Sequence, residues 1–311
     1  MILNHQHPIG LSGRPLLAAI ESGSDVSTLQ SANLDGCSLS VFPLALLAYS
    51  NLSVLSLYDN QLTSIPIWIS ELRFLKTLNV SQNRLPDIPD SIGAQEHLEM
   101  LDLGHNCISA LPGTLGSLRK LVFLYVSNNK ISSLPASMAE LSKLRYLNIT
   151  DNQVGELPNW IGHLGSLVEL RVYNNLLTTL PSGIGACSNL VELHANKNQI
   201  ETLPDSLGLM SSLVKLNLQA NRLSRLPESI GNLKSLTELD LRFNQITTLP
   251  SSLTQLQSLE YLDLRANALT ALPENLHDLV NLRKIDLRWN RLATYPHSLG
   301  VLASRGCIVY T

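Results

Sequence analysis

Glu192 and His194 are two residues apart on what reads as a strand, so a carboxylate and an imidazole share one face, the arrangement of a general acid/base pair. No nucleophile, metal-ligand cluster or lid is visible in the sequence beside them. The phosphate-cradling G-x-x-x-x-G-K-[ST], the G-x-S-x-G elbow, H-E-x-x-H and C-x-x-C are absent as well. The expectation is therefore a protein that is not an enzyme, with no catalytic, cofactor-binding or metal-ligating residue assigned and no cofactor. His194 is retained as a binding residue, together with Arg171 on the preceding strand.

Two other constellations point to recognition. Phe123, Tyr125 and Tyr146 fall on adjacent strands with outward spacing and would form one aromatic patch, with Tyr173 near its edge and Tyr58 further toward the N-terminus. Exposed aromatic side chains give large contact area at low entropy cost. The second is a striped face. Its outward residues are Glu238, Asp240 and Arg242, then Tyr261, Asp263 and Arg265, then Lys284, Asp286 and Arg288. Either the aspartates hold the arginines, or the row Arg242, Arg265, Arg288, flanked by Phe243 and Trp289, receives an acidic segment of a partner.

A regular scaffold must position these groups. A phrase seen cleanly from Leu213 to Pro227 recurs at a fixed step of 23 residues. Its asparagine appears at Asn60, Asn83, Asn106, Asn129, Asn152, Asn175, Asn198, Asn221, Asn244, Asn267 and Asn290, and its proline follows from Pro66 to Pro296. Such periodicity marks a stacked repeat. The alternation L-x-L predicts a short strand with leucines inward, and the apolar residues three apart after each proline suit a 3₁₀ turn on the other side. Strands stack at ~4.8 Å while the turns need more width, so the stack should bend with its strands inside the curve. An asparagine column can satisfy backbone groups left unpaired where each unit leaves its strand.

The pattern L-x-x-L-x-L-x-x-N/C-x-L with its L-x-x-L-P continuation resembles the leucine-rich repeat family, in its 23-residue class, over residues 28 to 310. The resemblance implies an α/β solenoid, a right-handed horseshoe with a parallel sheet on the concave face and short helical or 3₁₀ turns on the convex face. It also implies a module that binds a protein or peptide partner on that concave face, as in intracellular signalling assemblies. A different implied role is a substrate-recognition subunit, or a bacterial effector, that works with a separate enzyme.

The expected division is an N-terminal arm and capping helix over 1–27, twelve repeats over 28–304 with a degenerate first one, and a capping strand over 305–311. A short helix is predicted from Pro15 to Ser22 and a loose arm over residues 1 to 12. Continuing the frame places Ile308 and Tyr310 inward on the final strand, an ending that suits a complete protein. In the back column Gln95 stands where leucine or methionine stands elsewhere, and a dent or a hydrogen-bonded edge is expected there.

Composition agrees with a soluble cytoplasmic monomer. A net charge of -3 and a pI near 6.2 give no general attraction to nucleic acid or anionic lipid, and no apolar run is long enough for a membrane span. No secretory signal opens the chain, so the sequons at Asn51, Asn79 and Asn148 carry no glycan reading, although delivery into a host cell by a non-classical route stays open. Cys37, Cys107, Cys187 and Cys307 are spaced for neither metal nor disulfide framework and are expected reduced and mostly buried.

Overall fold

A computed structural model describes residues 11–23 and 29–311; residues 1–10, most of the expected arm, lie outside it. The chain divides into two compact units, Met1–Asn152 and Gln153–Thr311.

The first unit opens with helix α1, Gly13–Glu21, which begins and ends slightly earlier than predicted and buries Leu16 and Ile20 against the first strand and 3₁₀ turn. Six three-residue strands follow: β1 Ser31–Asn33, β2 Val54–Ser56, β3 Thr77–Asn79, β4 Met100–Asp102, β5 Phe123–Tyr125 and β6 Tyr146–Asn148. Within the unit, consecutive strands pair in parallel at a step of 23 residues, for example Leu78 with Leu101. In the degenerate first repeat Leu29, Ala32, Leu34 and Phe42 are buried as the frame requires, while Leu39 is only half-buried.

The proline column sets the other side of each coil. Pro66 sits in extended backbone at φ -70° and ψ 150°, and the 3₁₀ turn Ile67–Glu71 begins at once, closed by the Ile69 amide on the Pro66 carbonyl at 3.0 Å. A ring-fixed φ pre-forms that corner. Of the two expectations for Gln95, a dent or a hydrogen-bonded edge, the structure shows the hydrogen bond, made in the interior rather than at an edge. The residue is fully buried, its amide donates to the carbonyl of Ile69 one coil back, and its Oε1 has no hydrogen-bond partner among the described residues.

The second unit contains β7 Glu169–Arg171, β8 Glu192–His194, β9 Lys215–Asn217, β10 Glu238–Asp240, β11 Tyr261–Asp263, β12 Lys284–Asp286, helix α2 His297–Ser304 and β13 Ile308–Tyr310. Its coils pack so closely at the 3₁₀ turns that a Cβ on Gly208 would lie 2.5 Å from the Ser229 carbonyl oxygen. The last strand corrects the sequence frame. β13 pairs Lys284 with Ile308 and Ile285 with Val309, a step of 24 rather than 23, so Ile308 and Tyr310 face outward and are exposed. An eight-residue α-helix replaces the usual five-residue 3₁₀ turn in that coil and takes up the extra residue. A one-residue slip reverses every side chain on a strand.

In both units the asparagines perform the backbone task expected of them. The Asn221 amide donates to the carbonyls of Ala195 and Leu218, each at 3.0 Å, and its Oδ1 accepts the Ile200 amide at 3.0 Å. Immediately before each asparagine the backbone turns left-handed, from Asp59 at φ 54° to Trp289 at φ 61°. The architecture is the α/β solenoid of leucine-rich-repeat type, with parallel strands on one side and 3₁₀ turns on the other.

Candidate functional site

Outward strand positions lie outside the leucine core, which the alternate residues form, and are the part of the coil whose side chains vary from repeat to repeat. In the first unit β5 and β6 place Phe123 opposite Tyr146, and the Tyr125 and Tyr146 rings meet with centroids 4.8 Å apart at 37°. Phe123 is 41% exposed. The offset geometry suits aromatic pairs and adds roughly 0.5–1.5 kcal/mol to their burial. These three residues form one patch, as the sequence suggested. Tyr58 does not join them: it follows β2, three strands away, and its hydroxyl donates to Gln82 Oε1 at 3.0 Å. Beside the patch, Asp102 on β4 is paired with Tyr125, and burial raises its carboxyl above the usual range, against the Gly104 amide, the Ser81 hydroxyl and His105, which lower it.

Tyr173 lies in the second unit, half-buried just after β7. Arg171 is held by Glu169 on its own strand, Nε to Oε1 at 2.5 Å. His194 Nε2 lies 2.9 Å from Glu192 Oε2, and the register sets Glu169 directly opposite Glu192. One ligand atom from each of Glu169, Glu192 and His194 falls within 4.8 Å of the others. Sequence reasoning paired Glu192 with His194 and placed Glu169 on the same outward face, one repeat step earlier, without joining it to the pair.

On β10 to β12 the arginines are matched by aspartates. Arg265 binds Asp263 with Nε at 3.0 Å from Oδ1 and Nη2 at 2.6 Å from Oδ2, and its Nε also lies 3.4 Å from Asp286. Arg242 reaches Asp240 at 3.2 Å and donates to Gln219 at 2.8 Å. Burial raises the Asp240 carboxyl. It acts upward on Asp286 too, where the Arg288 hydrogen bonds and the Arg265 and Arg288 charges outweigh it and hold the carboxyl below the usual range. The face is a charge lattice closed by hydrogen bonds at Arg265 and Arg288, whereas the buried Arg242 Nε has no hydrogen-bond partner among the described residues. Beside it the Phe243 and Trp289 rings, 48% and 67% exposed, approach to 6.4 Å on either side of Ala266. Both occupy the left-handed column, where bulky aromatic residues are uncommon.

Family comparisons agree with this geometry. The profile described as leucine rich repeat matches residues 73–131 and 234–292, the leucine-rich repeat region profile 135–222, and two shorter leucine-rich-repeat profiles 211–256 and 51–72. The chain is a leucine-rich-repeat protein. Comparison with curated proteins gives no match.

Among solved structures the chain is similar to the Arabidopsis receptor kinase HAESA in complex with the peptide hormone IDA and a co-receptor. Identity is 30% and the TM-score 0.71, covering 88% of this chain and 52% of that one. It is similar also to the ectodomain of the receptor kinase GASSHO1/SCHENGEN3 from Arabidopsis thaliana in complex with CASPARIAN STRIP INTEGRITY FACTOR 2, at 29% identity and TM-score 0.72, covering 91% and 38%. An internalin from Listeria monocytogenes matches at 21% identity and TM-score 0.70, covering 96% and 94%, and shows the fold alone. The chain spans about half the length, or less, of the plant receptor chains. Among the described residues no helix is long and apolar enough to cross a membrane.

Proposed function

We propose that this chain is a non-enzymatic module that binds a protein or peptide on the outward face of its strands. The observation that carries the reading is the Phe123, Tyr125 and Tyr146 patch: half-exposed aromatic surface on a backbone fixed by buried leucines and by hydrogen-bonding Asn129 and Asn152 in its own coils. Rigid aromatic anchors of this kind dominate binding energy at interfaces. The receptor kinase HAESA, to which the chain is similar, is described with a bound peptide hormone, and the GASSHO1/SCHENGEN3 ectodomain in complex with CASPARIAN STRIP INTEGRITY FACTOR 2, which supports the same use of the scaffold here.

In the second unit Arg171, Tyr173, His194, Arg242, Arg265, Arg288 and Trp289 are proposed as further partner-binding residues, with the arginines orienting a partner through exchange of their carboxylate bonds. Free cysteines at all four positions suit a reducing compartment, so a cytoplasmic monomer in a signalling assembly is the setting proposed. The test is selection of binding peptides from a displayed library, followed by affinity measurement against the combined Phe123→Ala, Tyr125→Ala, Tyr146→Ala variant. Loss of at least about tenfold, or 1.4 kcal/mol, supports the patch. Unchanged affinity with an intact circular-dichroism spectrum removes it.

A further inference from the structure

We propose that Glu169, Glu192 and His194 form a binding site for a divalent transition-metal ion. The register of β7 and β8 sets the two carboxylates one strand spacing apart, and His194 is the next outward residue along β8. Their ligand atoms already lie within 4.8 Å of one another. Four-coordinate zinc with bonds of about 2.0–2.2 Å needs donor separations of roughly 3.3 Å, which small side-chain rotations supply. One imidazole and two carboxylates is a donor set suited to Zn²⁺ and its first-row neighbours.

Charge compensation distinguishes this cluster from the other acidic column. Like charges placed directly opposite on a sheet are unfavourable. Along Asp240, Asp263 and Asp286 each carboxylate has an arginine within 3.2 Å. Glu192 has none: its nearest partner is the His194 imidazole at 2.9 Å, and the closest ammonium, on Lys215, stands at 3.9 Å. Glu169 is already paired with Arg171, so Glu192 is the carboxylate whose charge a divalent cation would chiefly compensate.

The surroundings favour binding. Leu170, Val172, Leu193 and Ala195 are wholly buried beneath the cluster and fix its backbone. Arg171 grips Oε1 of Glu169 and leaves Oε2 to turn inward, the kind of outer contact that orients a ligand. Side-chain exposures of 22%, 29% and 21% leave the outward side of the cluster open to solvent, where a water or a partner's carboxylate would complete the coordination.

The experiment is isothermal titration of the whole chain with ZnCl₂, beside His194→Ala and Glu192→Gln variants whose melting curves in chelator match the parent. One saturable site is expected in the parent, weakened at least about tenfold in each variant. Zinc should also raise the melting temperature of the parent and not of the variants. No saturable binding up to about 1 mM zinc, or equal affinity in parent and both variants, would overturn the site.

Discussion

Arg288 closes on Asp286 with two nitrogens, Nε at 3.0 Å from Oδ1 and Nη2 at 2.6 Å from Oδ2, and Arg265 approaches the same carboxylate from the preceding strand at 3.4 Å. Asp286 is almost wholly buried, so it is the keystone of the charge lattice. Removing it in Asp286→Ala leaves two guanidinium groups facing each other. Because both arginines keep solvent contact, the expected loss is about 2–3 kcal/mol, below the range for fully buried pairs. The folded carboxyl lies below its ordinary value, so the stabilisation is present above about pH 3.9 and is lost as pH falls through the folded value. Urea midpoints of parent and variant should differ at pH 7 and converge under strong acid.

Asp102 behaves in the opposite sense. Its Oδ1 accepts the Gly104 amide at 2.9 Å, the bond that Asn79 and Asn148 make in neighbouring coils with Ser81 and Thr150. Burial raises the carboxyl, so the folded state holds its proton to higher pH than the unfolded chain, and stability falls as pH rises through that window. Asp102→Asn keeps the bond and removes the charge. A gain of about 0.5 kcal/mol at pH 7, with a flatter pH dependence of the melting temperature, is expected.

Gln95→Leu should stabilise the first unit. Leucine stands at the same point of other coils, as Leu118 and Leu141 do, and is fully buried there. The Ile69 carbonyl would keep the Leu72 amide at 3.2 Å, and the orphaned Oε1 would vanish. The expected gain is about 1–3 kcal/mol, read from the urea midpoint.

Thiol titration provides an independent check of packing. Cys37, Cys187 and Cys307 are buried and Cys107 is exposed. Burial pushes the Cys187 thiol up to about 11. At pH 8 one of the four thiols should react rapidly with a disulfide reagent, and the other three only after unfolding.

The leucine and asparagine columns made the coil legible because each serves the backbone or the core in every repeat. The slip at β13 was hidden because the segment before it, Ala303 to Gly306, carries no periodic apolar signal and adds one residue. The left-handed column escaped notice for a different reason: it is filled by Asp59, Gln82, Lys197, Phe243 and Trp289, with no glycine to mark it. Within the surface, the Tyr125 and Tyr146 contact followed from outward alternation together with the 23-residue step that sets β5 beside β6. Glu169 was legible as an outward residue one repeat step before Glu192, but how near its carboxylate comes to that pair depends on side-chain conformation, which spacing does not give.

Hydroxyl-radical footprinting of the chain with a selected peptide bound tests strand-face recognition most directly. Phe123, Tyr125 and Tyr146 should lose reactivity by several-fold on binding, while Ile67 and Phe74, also exposed, keep theirs. Protection confined to Ile67 and Phe74, with the three aromatics as reactive as in the free chain, would contradict it.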